Sequence, residues 1–112
     1  MDLTMIEMFC LLIACHYLAD FPLQGQFLSD AKNRNNDIGK YIWKHALFGH
    51  SCIHGLFVGL ITGHVVLGLV EVLVHAMTDF LKCENRINFN QDQLIHVMSK
   101  FLYVAIIYFG AF

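Results

Sequence analysis

The stretch HGLFVGLITGHVVLGLVEVLVHAMTDF, from His54 to Phe80, decides the fold. It contains the end of one apolar run, Ala46 to Thr62, and all but the last residue of another, Val65 to Leu81, with only Gly63-His64 between them. Neither run alternates apolar and polar residues and both are longer than a strand, so each reads as a helix. A two-residue link leaves room only for an antiparallel hairpin. Outward from the hairpin, Leu3 to Leu18 and Leu94 to Phe112 form two more apolar runs. All four are near or a little under the roughly 20 residues that cross a hydrocarbon core of about 30 Å. A water-soluble bundle needs a solvated polar face on each helix, and the last three runs carry almost none. The expectation is one all-α domain, a four-helix transmembrane bundle with short spans, its helices over about 3–22, 44–62, 65–82 and 91–112.

Composition agrees. A chain of 112 residues allows one domain. With 57% hydrophobic and 14% charged residues and a mean hydropathy of +0.56, it lies well to the membrane side of a soluble domain. A net charge of −2 without a basic face or a glycine-rich phosphate loop sets nucleic acid aside as a partner. The connector from Gln24 to Lys44, with its SDAKNRNNDIGK, reads as a solvated loop, and CENRINFNQ as a second one. Pro22 stops or kinks the first helix. Lys32, Arg34, Lys40 and Lys44 lie in the first loop and Lys82 and Arg86 in the second, which four spans put on one side. The excess of basic residues places both loops in the cytoplasm and both termini outside. The acidic start, Asp2 and Glu7, is unlike that of a signal peptide and no small-residue cleavage site follows, so this segment is expected to be retained. Cys10, Cys15, Cys52 and Cys83 lack CxxC spacing and read as inert thiols. Gly55, Gly59 and Gly63, four residues apart, read as a packing seam.

Inside the apolar runs stand residues that lipid disfavours. His16 and Asp20, His50 and His54, His75 and Asp79, and Asp92 and His96 are each four apart, so each pair shares a helix face with Cβ atoms about 5–6 Å apart. Thirteen of the 112 residues are His or Asp, and chance placement would not put one such pair on every helix. The pairs lie toward the helix ends that meet the two basic loops, so a compact bundle brings them together at one depth. Imidazole and carboxylate suit zinc, manganese or iron, and helical bundles build dinuclear centres from such groups. The eight residues are therefore expected to ligate a divalent transition metal as two ions, with Asp20, Asp79 and Asp92 as candidates for the catalytic base. Gln24, one turn beyond Asp20, and Gln93, next to Asp92, are candidates for substrate contact or support of the ligands, or ordinary interfacial polar groups. The alternative for the whole cluster is a hydrogen-bonded network that locks the bundle or relays protons. His45 and His64 read as ordinary polar residues of the rim and the hairpin. Glu7 and Glu71 are expected in the outer half without partners, with Glu71 a weak candidate for the cluster, and Lys100 is the one basic residue inside a run.

At these same residues the chain resembles an uncharacterised group of small bacterial and phage integral membrane proteins, the domain-of-unknown-function family 3307. HYLADFPLQ (His16 to Gln24), HSCIHG (His50 to Gly55), HAMTDFLK (His75 to Lys82) and DQLIH (Asp92 to His96) look like the family's four motifs in order, over nearly the whole chain. The resemblance implies a multi-pass protein of a bacterial inner membrane and no activity. A looser likeness, to membrane-bound metal-dependent hydrolases with histidines in short helices, is analogy.

The residues themselves favour a metal-dependent hydrolase acting at the cytoplasmic leaflet on a phosphoester or ester of a lipid-like, amphiphilic substrate. The alternative is a non-enzymatic, phage-encoded factor that binds and modulates a host membrane protein. Ion or proton transport fits least, because the outer half has few polar residues to continue a path. Four short spans bury little surface, so a homo-oligomer is a further expectation.

Overall fold

The computed structural model describes residues 2–110. Among these residues there are five helices and no strand: α1 (Met5–Asp20), α2 (Gly25–Ala31), α3 (Gly39–Thr62), α4 (Val65–Cys83) and α5 (Phe89–Tyr108). The long helices α1, α3, α4 and α5 occupy the four apolar runs. The short α2 corrects the four-helix expectation, since part of the connector read as a loop is helical. Ala111 and Phe112, expected at the end of the last helix, lie outside the described residues.

Local sequence explains the boundaries. The Thr4 hydroxyl accepts from the Glu7 backbone N–H at 3.2 Å and caps α1. Pro22 disfavours helical geometry in the residue before it, and Phe21 leaves the helix at φ −110°, ψ −80°. The chain turns there, and α2 runs at 81° to α1. Gly63 ends α3 in the left-handed region at φ +72°, its N–H bonded to the Gly59 carbonyl at 3.0 Å, and α4 begins two residues later. Asn88 and Gln91 form a reciprocal capping box at the start of α5.

The helices α3 and α4 pack as a hairpin, α1 lies against α3 and α5, and α4 lies against α5, so the four long helices close a ring. The helix α2 rests on α3. The molecule measures 45 × 22 × 22 Å. Gly55 and Gly59 of α3 meet Gly68 of α4 so closely that a Cβ on Gly55 would lie 2.7 Å from the Gly68 carbonyl oxygen. Gly63, expected in that seam, belongs to the turn instead.

One half of the interior is apolar, filled by Met8, Leu12, Val58, Leu67, Tyr103 and Val104. The other half is polar, with His16, His50, His54, His75, Asp79, Asp92 and His96 all buried. The surface is the reverse: Ile6, Phe48, Leu60, Val65, Leu73, Met77 and Phe101 are exposed. By length and composition α3 alone is long and apolar enough to cross a membrane, and α1 with α2 qualify only as a bent pair. The expected four spans are thus reduced to one or two on this measure. For α1 the reason is its length of 16 residues; for the others it is composition, since Glu71, Asp79 and Lys82 fall in α4, and Asp92 and Lys100 with Asn90, Gln91 and Gln93 in α5.

Candidate metal centre

The last turns of α1 carry His16 and Asp20, α3 carries His50 and His54, the second half of α4 carries His75 and Asp79, and the first turns of α5 carry Asp92 and His96. The ring of helices turns all eight inward and brings them together. Asp20 sits at the middle. Its Oδ1 lies 2.9 Å from Nε2 of His54, 3.2 Å from that of His50 and 3.8 Å from that of His75, and its Oδ2 lies 3.3 Å from Nε2 of His16. The rings of His54 and His75 stack at 3.7 Å between centroids, and those of His75 and His96 at 4.3 Å.

One ligand atom from each of His16, Asp20, His54 and His75 falls within 4.8 Å of the others. Ligands held about 2.0–2.1 Å from a tetrahedral zinc ion lie roughly 3.3 Å apart, so small side-chain shifts close this set on one ion. Two further groupings, His50–His75–Asp79 and Glu71–His75–His96, both draw on His75. Among the described residues, neither ring nitrogen of His75 or His96 makes a hydrogen bond of normal geometry, although Asp92 Oδ1 is 3.3 Å from His96. Each buried polar atom left this way costs about 1–3 kcal/mol. The donor set, imidazole with carboxylate, fits a borderline divalent cation.

Around this set lie Gln93 and Gln24, both candidates for its support, and further residues whose position the sequence does not show. Gln93 donates to Asp20 Oδ2 at 3.1 Å and to Asp92 Oδ2 at 3.0 Å, and its own oxygen is 2.9 Å from His16 Nε2. Gln24 donates to the Asp20 carbonyl at 3.1 Å and accepts from Lys32. Lys32, expected in a solvated loop, is only 4% exposed and donates to Asp79 Oδ2 at 2.6 Å. Lys82 lies on α4 rather than in a loop, 3.3 Å from Asp79 and 3.6 Å from Asp92. Glu71, expected to lack a partner, is fully buried and accepts from Lys100 at 2.6 Å. Two opposite charges in apolar runs were a signal for that pair, whereas nothing in its neighbourhood marked Lys32. His45 is exposed on α3 and His64 is half-buried at the hairpin.

A cavity of about 370 Å³ opens beside α2 and reaches the cluster, lined by Asp20, Gln24, Gln26, Ser29, Lys82 and Gln93 among others. The connector below it is stapled to the end of α4. Arg34 Nε donates to Glu84 at 3.1 Å, and the Asn35 amide donates to the Cys83 carbonyl at 3.2 Å and to Glu84 Oε2 at 2.6 Å. These hydrogen bonds, Arg34 first, hold the Glu84 carboxyl below the usual range, and Glu84 in turn raises Arg34.

Residues 8–111 match the family model described as protein of unknown function (DUF3307). No curated protein and no solved structure matches the chain.

Proposed function

Because the chain belongs to the DUF3307 family, whose description gives no activity, we propose its function from the site: a multi-pass protein of the bacterial inner membrane that uses a divalent transition metal to hydrolyse a phosphoester or ester of an amphiphile at the cytoplasmic leaflet. The observation that carries this reading is the gathering of imidazole nitrogens from α1, α3 and α4 around Asp20, at the floor of an open cavity.

In this scheme His16, Asp20, His54 and His75 hold the ion, which would supply a water acidic enough to lose a proton near neutral pH and would polarise the scissile oxygen. Gln93 keeps Asp20 and His16 in register with Asp92. Lys82, on the cavity wall, is placed to attract an anionic oxygen of the substrate. Asp92, beside Lys82 and Gln93, is placed to accept a proton.

The membrane part of the reading draws support from the inverted distribution of polarity. Charged residues that lower the hydropathy of α4 and α5 point inward, and the faces of those helices that remain exposed carry Leu69, Leu73, Met77, Leu94, Met98 and Phe101. A water-exposed patch of that extent would drive association. Lys40, Lys44 and Arg86 are exposed at the end of the bundle that holds the polar half, which agrees with a cytoplasmic position for that end.

Metal analysis of protein purified in detergent without chelator, together with hydrolysis assays on chromogenic phosphodiesters, carboxyl esters and phospholipids, tests the proposal. About one or more transition-metal ions per chain and a metal-dependent hydrolysis are expected. Less than about 0.1 ion per chain, after incubation with zinc, manganese or iron(II), would overturn it. A second reading, a non-enzymatic factor bound to a host membrane protein, is favoured by the apolar groove along the α3–α4 seam, lined by Gly55, Leu56, Gly59, Leu60, Gly68 and Leu69 among others. A host partner that stays bound when His16 and Asp20 are both changed to Ala would support it.

A further inference from the structure

We infer that the centre takes a single divalent ion, and that the ammonium group of Lys32 stands where a second ion would bind. The inference rests on the metal-centre reading above. Four carboxylates line the buried layer: Asp20, Glu71, Asp79 and Asp92. Three ammonium groups join them, and each pairs with at least one of the carboxylates. Lys32 lies 2.6 Å from Asp79, Lys100 lies 2.6 Å from Glu71, and Lys82 lies between Asp79 and Asp92. Among the described residues, Asp20 is the one member of the four with no ammonium nitrogen within 4.0 Å. Its neighbours are the imidazoles of His16, His50, His54 and His75 and the amide of Gln93.

Charge balance then limits how many ions fit. With neutral imidazoles the layer carries one negative charge in excess. One divalent ion leaves one positive charge, which a hydroxide or a singly charged ester neutralises. Two ions would leave three positive charges in a layer buried apart from Lys82 and the edge of Asp20, more than a single hydroxide or ester neutralises. Ligand supply gives the same limit. Both of the other groupings need His75, whose Nε2 lies between Asp79, at 3.7 Å, and Asp20, at 3.8 Å, and can serve one ion only. Without it, a second position keeps only His50 and Asp79, and there the Lys32 ammonium already bonds Asp79 and Gln24. Glu71, the carboxylate of the remaining grouping, is bonded to Lys100.

The test is stoichiometry. The full chain in detergent is loaded with Mn2+, desalted, and measured by elemental mass spectrometry and electron paramagnetic resonance. One ion per chain with the six-line hyperfine pattern of an isolated ion is expected. Lys32→Met, which keeps the side-chain length and removes the charge, should take up a second ion and show a spin-coupled spectrum, while Lys32→Arg should stay at one. Asp79→Asn should also keep one ion, which guards against a Lys32→Met variant that does not fold. Two ions in the unaltered chain, one ion in a folded Lys32→Met variant, or loss of the ion in a folded Asp79→Asn variant would each overturn the inference and leave the metal-centre reading standing. No ion in the unaltered chain would remove that reading itself.

Discussion

Asp20 is reached by four imidazoles and one side-chain amide, and among the described residues no other buried carboxylate has such a company. Asp20→Asn keeps the shape and removes the charge, so metal occupancy should fall at least tenfold while the helical circular dichroism is unchanged. Gln93→Ala removes the bridge between His16, Asp20 and Asp92 and should weaken metal binding by about 10–100-fold in a competition titration with a chelator. The eight ligand candidates were legible in the sequence because a four-residue spacing places both members of a pair on one helix face. Partners on different helices leave no such trace: Glu71 and Lys100 are separated by 29 positions, and Lys32 and Asp79 by 47. The polar neighbours of Lys32 point to a loop, and burial of a lysine follows from its tertiary partner, not its neighbours.

The same division holds for whole elements. The long helices could be read from continuous apolar runs, whereas GQFLSDA gives no strong signal for α2. A helix of seven residues is too short to hold itself in isolation, so its existence depends on docking against α3. The seam between α3 and α4 was legible as glycine spacing, and Gly68, which completes it, was not because it lies on the other helix of the hairpin. Gly55→Ala pushes a methyl group against Gly68 and Val72. It should destabilise the protein by about 1–3 kcal/mol, measured by thermal unfolding in detergent. The staple at Glu84 gives a dependence on pH. An acid with a lowered pKa in the folded state stabilises it above the unfolded-state value and loses that effect as pH falls through the folded value. The difference in melting temperature between the unaltered protein and Glu84→Gln should therefore be constant from pH 7 to about 5, and vanish well below about pH 4.

For the molecule as a whole, an apolar surface encloses a polar half-core. The helical class was plain from the sequence, but a count of spans was not, because hydropathy sums every charge alike and cannot tell a residue facing a neighbouring helix from one facing outward. If the exposed apolar faces lie in lipid, the protein should remain in the membrane pellet after extraction with alkaline carbonate and leave it only with detergent. Release by carbonate alone would contradict the membrane assignment. The exposed contacts of Arg34 and Asn35 with the end of α4 have a kinetic consequence. They pin the connector that follows α2, the helix that forms one wall of the cavity lined by Asp20, yet none of them touches a proposed ligand. Dwell time and occupancy are then governed by separate residues, so Arg34→Ala should hasten escape of the ion to an external chelator while leaving the equilibrium loading as it was.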